Sequence, residues 1–123
     1  MFIRVSLNVM MTEDAHVQTL ALEGEFDVYT VREFRRELQR MGHATGPVIV
    51  DLTGVTFLDS SGLDALVCLA HQAHAHEEVV GIICPTPTLR RMLEIAGLHR
   101  TIAIGRNLTE VRRALQSGLR PQP

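Results

Sequence analysis

Ile3, Val5, Leu7 and Val9 alternate with Arg4, Ser6 and Asn8. A period of two places the apolar set on one face of a strand and leaves the other face solvated. Residues 10–15, with Thr12, Glu13 and Asp14, read as a turn, and residues 17–23 read as a second strand, so the two predict an antiparallel hairpin. Gly24-Glu25-Phe26-Asp27 then leaves the strand. The period changes next: Val31, Phe34, Leu38 and Met41 recur at helical spacing, Thr30 and Glu33 have capping-box spacing, and Gly42 supplies the stop.

The rest of the chain alternates strand and helix patterns. Residues 48–52 are a nearly continuous apolar run, as in a strand covered on both faces. After the Asp59-Ser60-Ser61 turn, Leu63, Leu66, Val67 and Ala70 mark a helix, and residues 79–84 read as another buried strand. Thr86 with Pro87 behind it has the form of an N-cap and a first-position proline. Leu89, Met92, Leu93 and Ala96 give that helix its apolar stripe, and Gly97 closes it. Residues 101–104 read as a short strand. Asn107 and Glu110 are placed to cap a last helix carrying Leu108, Val111 and Leu115. The predicted fold is therefore α/β, with a mostly parallel sheet of about five strands, an N-terminal antiparallel hairpin, four helices and right-handed crossovers. A chain of 123 residues holds one core, expected over residues 1–118 with a flexible tail at 119–123.

Composition narrows the chemistry. A net charge of −2, one Tyr and no Trp leave no basic footprint and little aromatic surface for nucleic acid. No apolar run approaches the ~18 residues that span a bilayer. The N-terminus lacks the pattern of a signal peptide, so a cytoplasmic protein without membrane insertion is expected. Cys68 and Cys84 form no CxxC pair and read as small buried hydrophobes in a reducing compartment. All twelve basic residues are arginine. The absence of lysine excludes a Walker-type phosphate loop and a Schiff-base lysine, and no GxGxxG occurs. No cofactor is expected.

The chemistry that remains centres on Asp59-Ser60-Ser61-Gly62, where a strand passes into a helix. A helix N-terminus favours negative charge, so a phosphate added to a serine there leaves the fold intact. Read locally, both serines are also ordinary N-cap residues. Asp59 reads equally as a turn former and as a polar contact beside the acceptor. His71 and His74 share a helical face, but with His76 at the helix end they read as a solvated surface rather than a metal site. A serine hydrolase is disfavoured because there is no GxSxG elbow, and sequence places no histidine beside Ser60. The arginine pairs 35–36, 90–91 and 112–113 read as solvated helix faces.

Three segments carry a resemblance. GEFD at 24–27 with Thr30 resembles the motif that heads the first helix of the STAS-domain family. VIVDLTGVTFLDSSGL at 48–63 is similar to that family's signature strand, turn and helix start, and PTPTLRRMLEIAGL at 85–98 resembles its third helix. Within that family the resemblance is specifically to the bacterial anti-sigma factor antagonists. The resemblance implies a non-enzymatic module phosphorylated at Ser60. Unphosphorylated, it would bind an anti-sigma factor that is also a serine kinase, freeing a sigma factor for transcription; a serine phosphatase would reset it. The partner-binding residues so implied are Asp27, Thr30, Asp59, Ser60, Ser61, Gly62 and Leu63, on a monomer or weak dimer. Ser60 then serves as acceptor and Ser61 as cap. With Ser61 as cap, Asp64 occupies the third helical position and would repel a phosphate on Ser60. The alternative is a STAS scaffold subunit of a stress-sensing complex or lipid transporter without a kinase cycle.

Overall fold

A computed structural model describes residues 2–11, 16–42 and 46–116. The element order is β1 (Ile3–Met11), β2 (His16–Phe26), α1 (Val31–Met41), β3 (Val48–Leu58), α2 (Ser60–Ala75), β4 (Val80–Ile83) and α3 (Pro87–Ile95). A 3-10 turn (Leu98–Arg100), β5 (Ala103–Gly105) and α4 (Leu108–Gln116) follow. The five strands lie in the order β1-β2-β3-β4-β5, with β1 antiparallel to β2 and every later pairing parallel. The architecture is the α/β sheet that the patterning predicts. The tail at 119–123 and most of the first turn fall outside the described residues.

Parallel neighbours in sequential order require each crossover to return on the same side when all are right-handed. Accordingly Phe34 of α1, Leu66 and Ala70 of α2, and Leu89 and Leu93 of α3 share one core with Leu20, Leu22, Val48, Val50, Leu52 and Ile82. Alternation along β3 turns Ile49 to the opposite face, where it joins Val17, Ile83 and Val111 of α4. The continuous run in β3 is thus read correctly as a strand buried on both faces.

β4 and β5 lie within two residues of their expected bounds, whereas β2 and β3 run past their expected ends, and that difference builds the site. β2 continues through Gly24 and Glu25 to Phe26, and β3 continues past Leu52 to Leu58. Register shifts between Ala21 and Glu23 and between Gly24 and Glu25 break the period of two, which hides the continuation from a pattern argument. Gly24 sits at φ +107°, a conformation that suits glycine, and a Cβ there would collide with the Phe2 carbonyl. Pairing ends with Phe26 opposite Leu58, so Asp27 and Asp59 leave the sheet side by side. Phe26 also packs edge-on against Phe34 at 5.1 Å between ring centroids, which seats α1 over the same corner.

Two other expectations are corrected. Cys68 is exposed, one turn beyond Asp64, whose carboxylate its thiol approaches at 3.9 Å; Cys84 is buried, and both thiols are free. Burial pushes the Cys84 thiol above its ordinary pKa. Arg90 is not a solvated side chain: its Nε and one terminal nitrogen both donate to the Cys84 carbonyl at 3.3 Å, bracing the end of β4 against α3. No helix among the described residues is long and apolar enough to cross a membrane.

Candidate functional site

The site is the corner where the β2–α1 loop meets the start of α2. Asp59 is the N-cap of α2: its Oδ1 accepts the backbone N–H groups of Ser61 at 2.8 Å and Gly62 at 3.0 Å. Its Oδ2 reaches across to the adjacent loop and accepts the Val28 N–H at 3.1 Å. One carboxylate therefore caps a helix and fastens a second loop to it. A cap of this type contributes about 1 kcal/mol to its helix.

This arrangement overturns the capping role expected of Ser61. The strand reaches Leu58, so Asp59 rather than Ser61 stands at the boundary. Ser60, Ser61, Gly62 and Leu63 occupy the first to fourth helical positions, with the Leu63 N–H closing the first helical bond to Asp59 O at 3.0 Å. Asp64 is then the fifth residue of α2, beyond the first turn. Among the first three amides, Ser60 alone has no acceptor among the described residues. An anion attached to Ser60 meets the positive end of the helix macrodipole but only one unclaimed N–H.

Ser60 is exposed, and its hydroxyl takes no hydrogen-bond partner among the described residues. Ser61 and Leu63 are half-buried, and Leu63 packs against the main core. Gly62 is buried against β2. A Cβ there would strike the Phe26 carbonyl oxygen and stand 2.8 Å from Leu58 Cδ1 and 3.0 Å from Phe26 Cγ. Glycine at this position lets α2 start directly over the last pair of β2 and β3.

Asp27 and Thr30 are buried, so they act on this surface through the loop they hold. Asp27 Oδ1 accepts the N–H groups of Tyr29 at 2.9 Å and Thr30 at 3.1 Å, while its Oδ2 has no partner among the described residues. The Thr30 hydroxyl donates to the Glu25 carbonyl at 2.6 Å and accepts the Asp27 N–H at 2.9 Å. Thr30 does stand at the N-cap of α1, but its side chain makes no capping bond, because its oxygen is already engaged across the loop. Between these two residues Val28 and Tyr29 point outward. Sequence reasoning passed over them, although two bulky apolar residues between Asp27 and Thr30 were the available signal.

His71, His74 and His76 are exposed along the outer side of α2. Among the described residues no group of three His, Cys, Asp or Glu side chains is placed to hold a metal ion.

With this geometry in place, comparison with known proteins is specific. A family model described as "Mlab, STAS domain" matches residues 9–119. The anti-sigma-B factor antagonist of Staphylococcus aureus is 30% identical over 95 residues, covering 76% of this chain and 88% of the relative. The chain belongs to the STAS-domain family of anti-sigma factor antagonists. A STAS-domain containing protein of Pseudomonas aeruginosa is 25% identical over 100 residues, covering 81% of this chain and 99% of that protein. Among solved structures, an anti-sigma factor antagonist from Mycobacterium paratuberculosis superposes with a TM-score of 0.75 at 21% identity. That match covers 92% of this STAS domain and 95% of the other. At such identity the superposition speaks for the fold, and the sheet order and helix placement described above are those of the family.

Proposed function

We propose that this STAS domain acts by partner switching. Unphosphorylated, it docks on an anti-sigma factor that is also a serine kinase, and a sigma factor is freed. Transfer of a phosphoryl group from ATP to Ser60 Oγ, with loss of the hydroxyl proton and release of ADP, ends the complex. A serine phosphatase restores the docking form by hydrolysis. The chain is a binding module in this cycle, not its catalyst.

The observation that carries the reading is the state of Ser60: an exposed hydroxyl without a partner among the described residues, on the first residue of a helix whose backbone is braced by Asp59 and Gly62. A phosphate there adds about −1.5 to −2 charges without touching the core. The helix end tolerates that charge, so the cost falls on whatever surface was docked. A coupling of ~1–3 kcal/mol changes partner affinity ~5–150-fold, enough for a switch set by concentration.

The test is to incubate the chain with ATP and each purified anti-sigma factor/serine kinase of the source organism, map the modified residue by mass spectrometry, and titrate each form against that kinase. Phosphate is expected on Ser60 alone, with Ser60→Ala binding like the unmodified chain and Ser60→Asp and the phosphorylated chain binding more weakly. Equal affinity of all four forms would sink the proposal. A chain that binds but is never modified would instead be a constitutive scaffold.

A further inference from the structure

The loop between β2 and α1 turns two large apolar side chains outward: Val28 is 57% and Tyr29 70% exposed. Single exposed apolar residues are ordinary on a protein surface. Three features set this pair apart.

The first is its support. Asp27 Oδ1 holds the Tyr29 and Thr30 amides, and Asp59 Oδ2 holds the Val28 amide, so the loop backbone is fixed with both side chains displayed. A large side chain presented on a rigid backbone binds at a low cost in ordering entropy. The second is its position. The carboxylate that receives the Val28 N–H belongs to the residue preceding Ser60, so the pair and the acceptor serine share one brace.

The third is the charge beside it. Arg32 and Arg35 on α1 are exposed and have no ion-pair partner among the described residues, whereas Arg36 and Arg40 lie 3.9 and 3.8 Å from Glu33 and Glu37. Arg32 is the second residue of α1, where a cation opposes the helix macrodipole. A residue that works against its own helix, with no compensating ion pair among the described residues, marks a place where the gain lies outside it.

We propose that Val28 and Tyr29 anchor a protein-docking surface flanked by Arg32 and Arg35, and that the partner presents an apolar pocket with carboxylates on its rim. This deepens the partner-switching reading and rests on it. The anchors supply affinity by filling the pocket, and the arginines supply register and association rate. The same acidic rim explains release: carboxylates drawn to Arg32 repel a dianion on Ser60, which adjoins the brace that holds Val28. The switch then needs no movement of the domain.

The experiment measures affinity and association rate of the full chain for the anti-sigma factor/serine kinase found by the screen above. Tyr29→Ala is expected to weaken binding at least 30-fold and Val28→Ser about 10-fold. Arg32→Glu is expected to weaken it about 10-fold, mostly through slower association, and to flatten its salt dependence. Arg32→Glu should also keep or raise the melting temperature, because a carboxylate now faces the positive helix end. Binding lost while the helix is stabilised is an outcome that a purely structural role does not give. Arg113→Glu, on the opposite face of the sheet, should bind within twofold of the unmodified chain.

If Tyr29→Ala and Arg32→Glu both bind within twofold while Ser60→Asp still loses the complex, the surface proposed here is wrong and partner switching stands. If the unmodified chain binds none of the kinases, both fail. Vesicles containing anionic phospholipid and sedimentation of the chain alone complete the set. If Tyr29→Ala abolishes vesicle binding or self-association while leaving kinase affinity unchanged, the patch serves a membrane or a second copy, and the acidic protein partner is excluded.

Discussion

The two ends of α2 are built on opposite terms. At the N-terminus one carboxylate receives two amides from the first turn of α2 and one from the β2–α1 loop, a glycine allows direct contact with β2, and the Ser60 hydroxyl stands exposed. At the C-terminus the helix closes with the Glu78 N–H on Ala73 O at 2.8 Å and the Glu77 N–H on His74 O at 3.3 Å. That closure puts Glu77 in the left-handed region at φ 55°, where glycine is the usual occupant. Beyond it lies an open cleft of about 550 Å³, lined in part by His74, Glu77, Val79 and Leu115. The contrast teaches that backbone order is concentrated beneath Ser60, while strain is tolerated at the far end. Under the proposed switch, a charge added to Ser60 would meet a braced support, and its effect would fall on the docked surface.

The strongest way to break this contrast is Gly62→Ala. The new methyl group would need space held by the Phe26 backbone, which cannot retreat without disturbing the last pair of β2 and β3. Overpacking of this kind costs about 2–3 kcal/mol, even though alanine in a helix would by itself favour the variant by about 1 kcal/mol. Urea unfolding should therefore show a lower midpoint at unchanged slope. A variant more stable than the parent would mean that α2 does not rest on β2 as described.

Asp59 comes next. Asp59→Ala should cost about 1–2 kcal/mol, because three amides lose their acceptor together. Asp59→Asn separates the two tasks. Its remaining carbonyl oxygen still caps Ser61 and Gly62, while its amide nitrogen has no lone pair to offer Val28. Amide exchange should then accelerate at Val28 and stay slow at Ser61 and Gly62. Equal acceleration at all three amides would show that the carboxylate is not shared in this way.

The element order was legible in the sequence because apolar spacing changes cleanly between strand and helix at residues 31, 48, 63 and 89. The helix stops at Gly42 and Gly97 and the cap of α4 were legible for the same local reason, and Asn107 Oδ1 does accept the Glu110 N–H at 2.9 Å. The true ends of β2 and β3 were not, since bulges shift the side-chain period and leave Thr53, Gly54 and Thr56 exposed within a strand. That error moved the cap from Asp59 to Ser61. Which polar atom receives which amide depends on two loops meeting across the sheet, and no spacing within either segment records it. The outward display of Val28 and Tyr29 rests on that cross-loop bond, so their apolar character was visible in the sequence but their exposure was not.

At the other end of α2, Glu77→Gly sharpens the comparison. Removing the side chain relieves a left-handed residue of about 1–2 kcal/mol. The extra freedom of glycine in the unfolded chain offsets roughly 0.5–1 kcal/mol of that. A net stabilisation of about 0.5–1 kcal/mol is expected in thermal or urea unfolding, with exchange at Ser61 and Gly62 unchanged. Destabilisation would mean that the Glu77 side chain makes a compensating contribution at the cleft.

The smallest effect tests Asp64, which lies one helical turn beyond the proposed acceptor Ser60. Asp64 lies four residues after Ser60, so the two share a helical face, and both are exposed. Like charges at this spacing cost a few tenths of a kcal/mol per unit pair, and a phosphate near −2 roughly doubles that. Asp64→Asn should thus leave stability within about 0.5 kcal/mol and raise the equilibrium extent of Ser60 phosphorylation about 2–5-fold at low salt. Raising ionic strength to about 0.5 M should erase the difference, because the charges lie at the surface and are screened over a few ångströms. If the gain persists at high salt, Asp64 acts by contact with the kinase rather than through charge. If there is no gain at low salt, the Asp64 carboxylate does not act on a phosphate at Ser60, and the helix end accepts that charge unopposed.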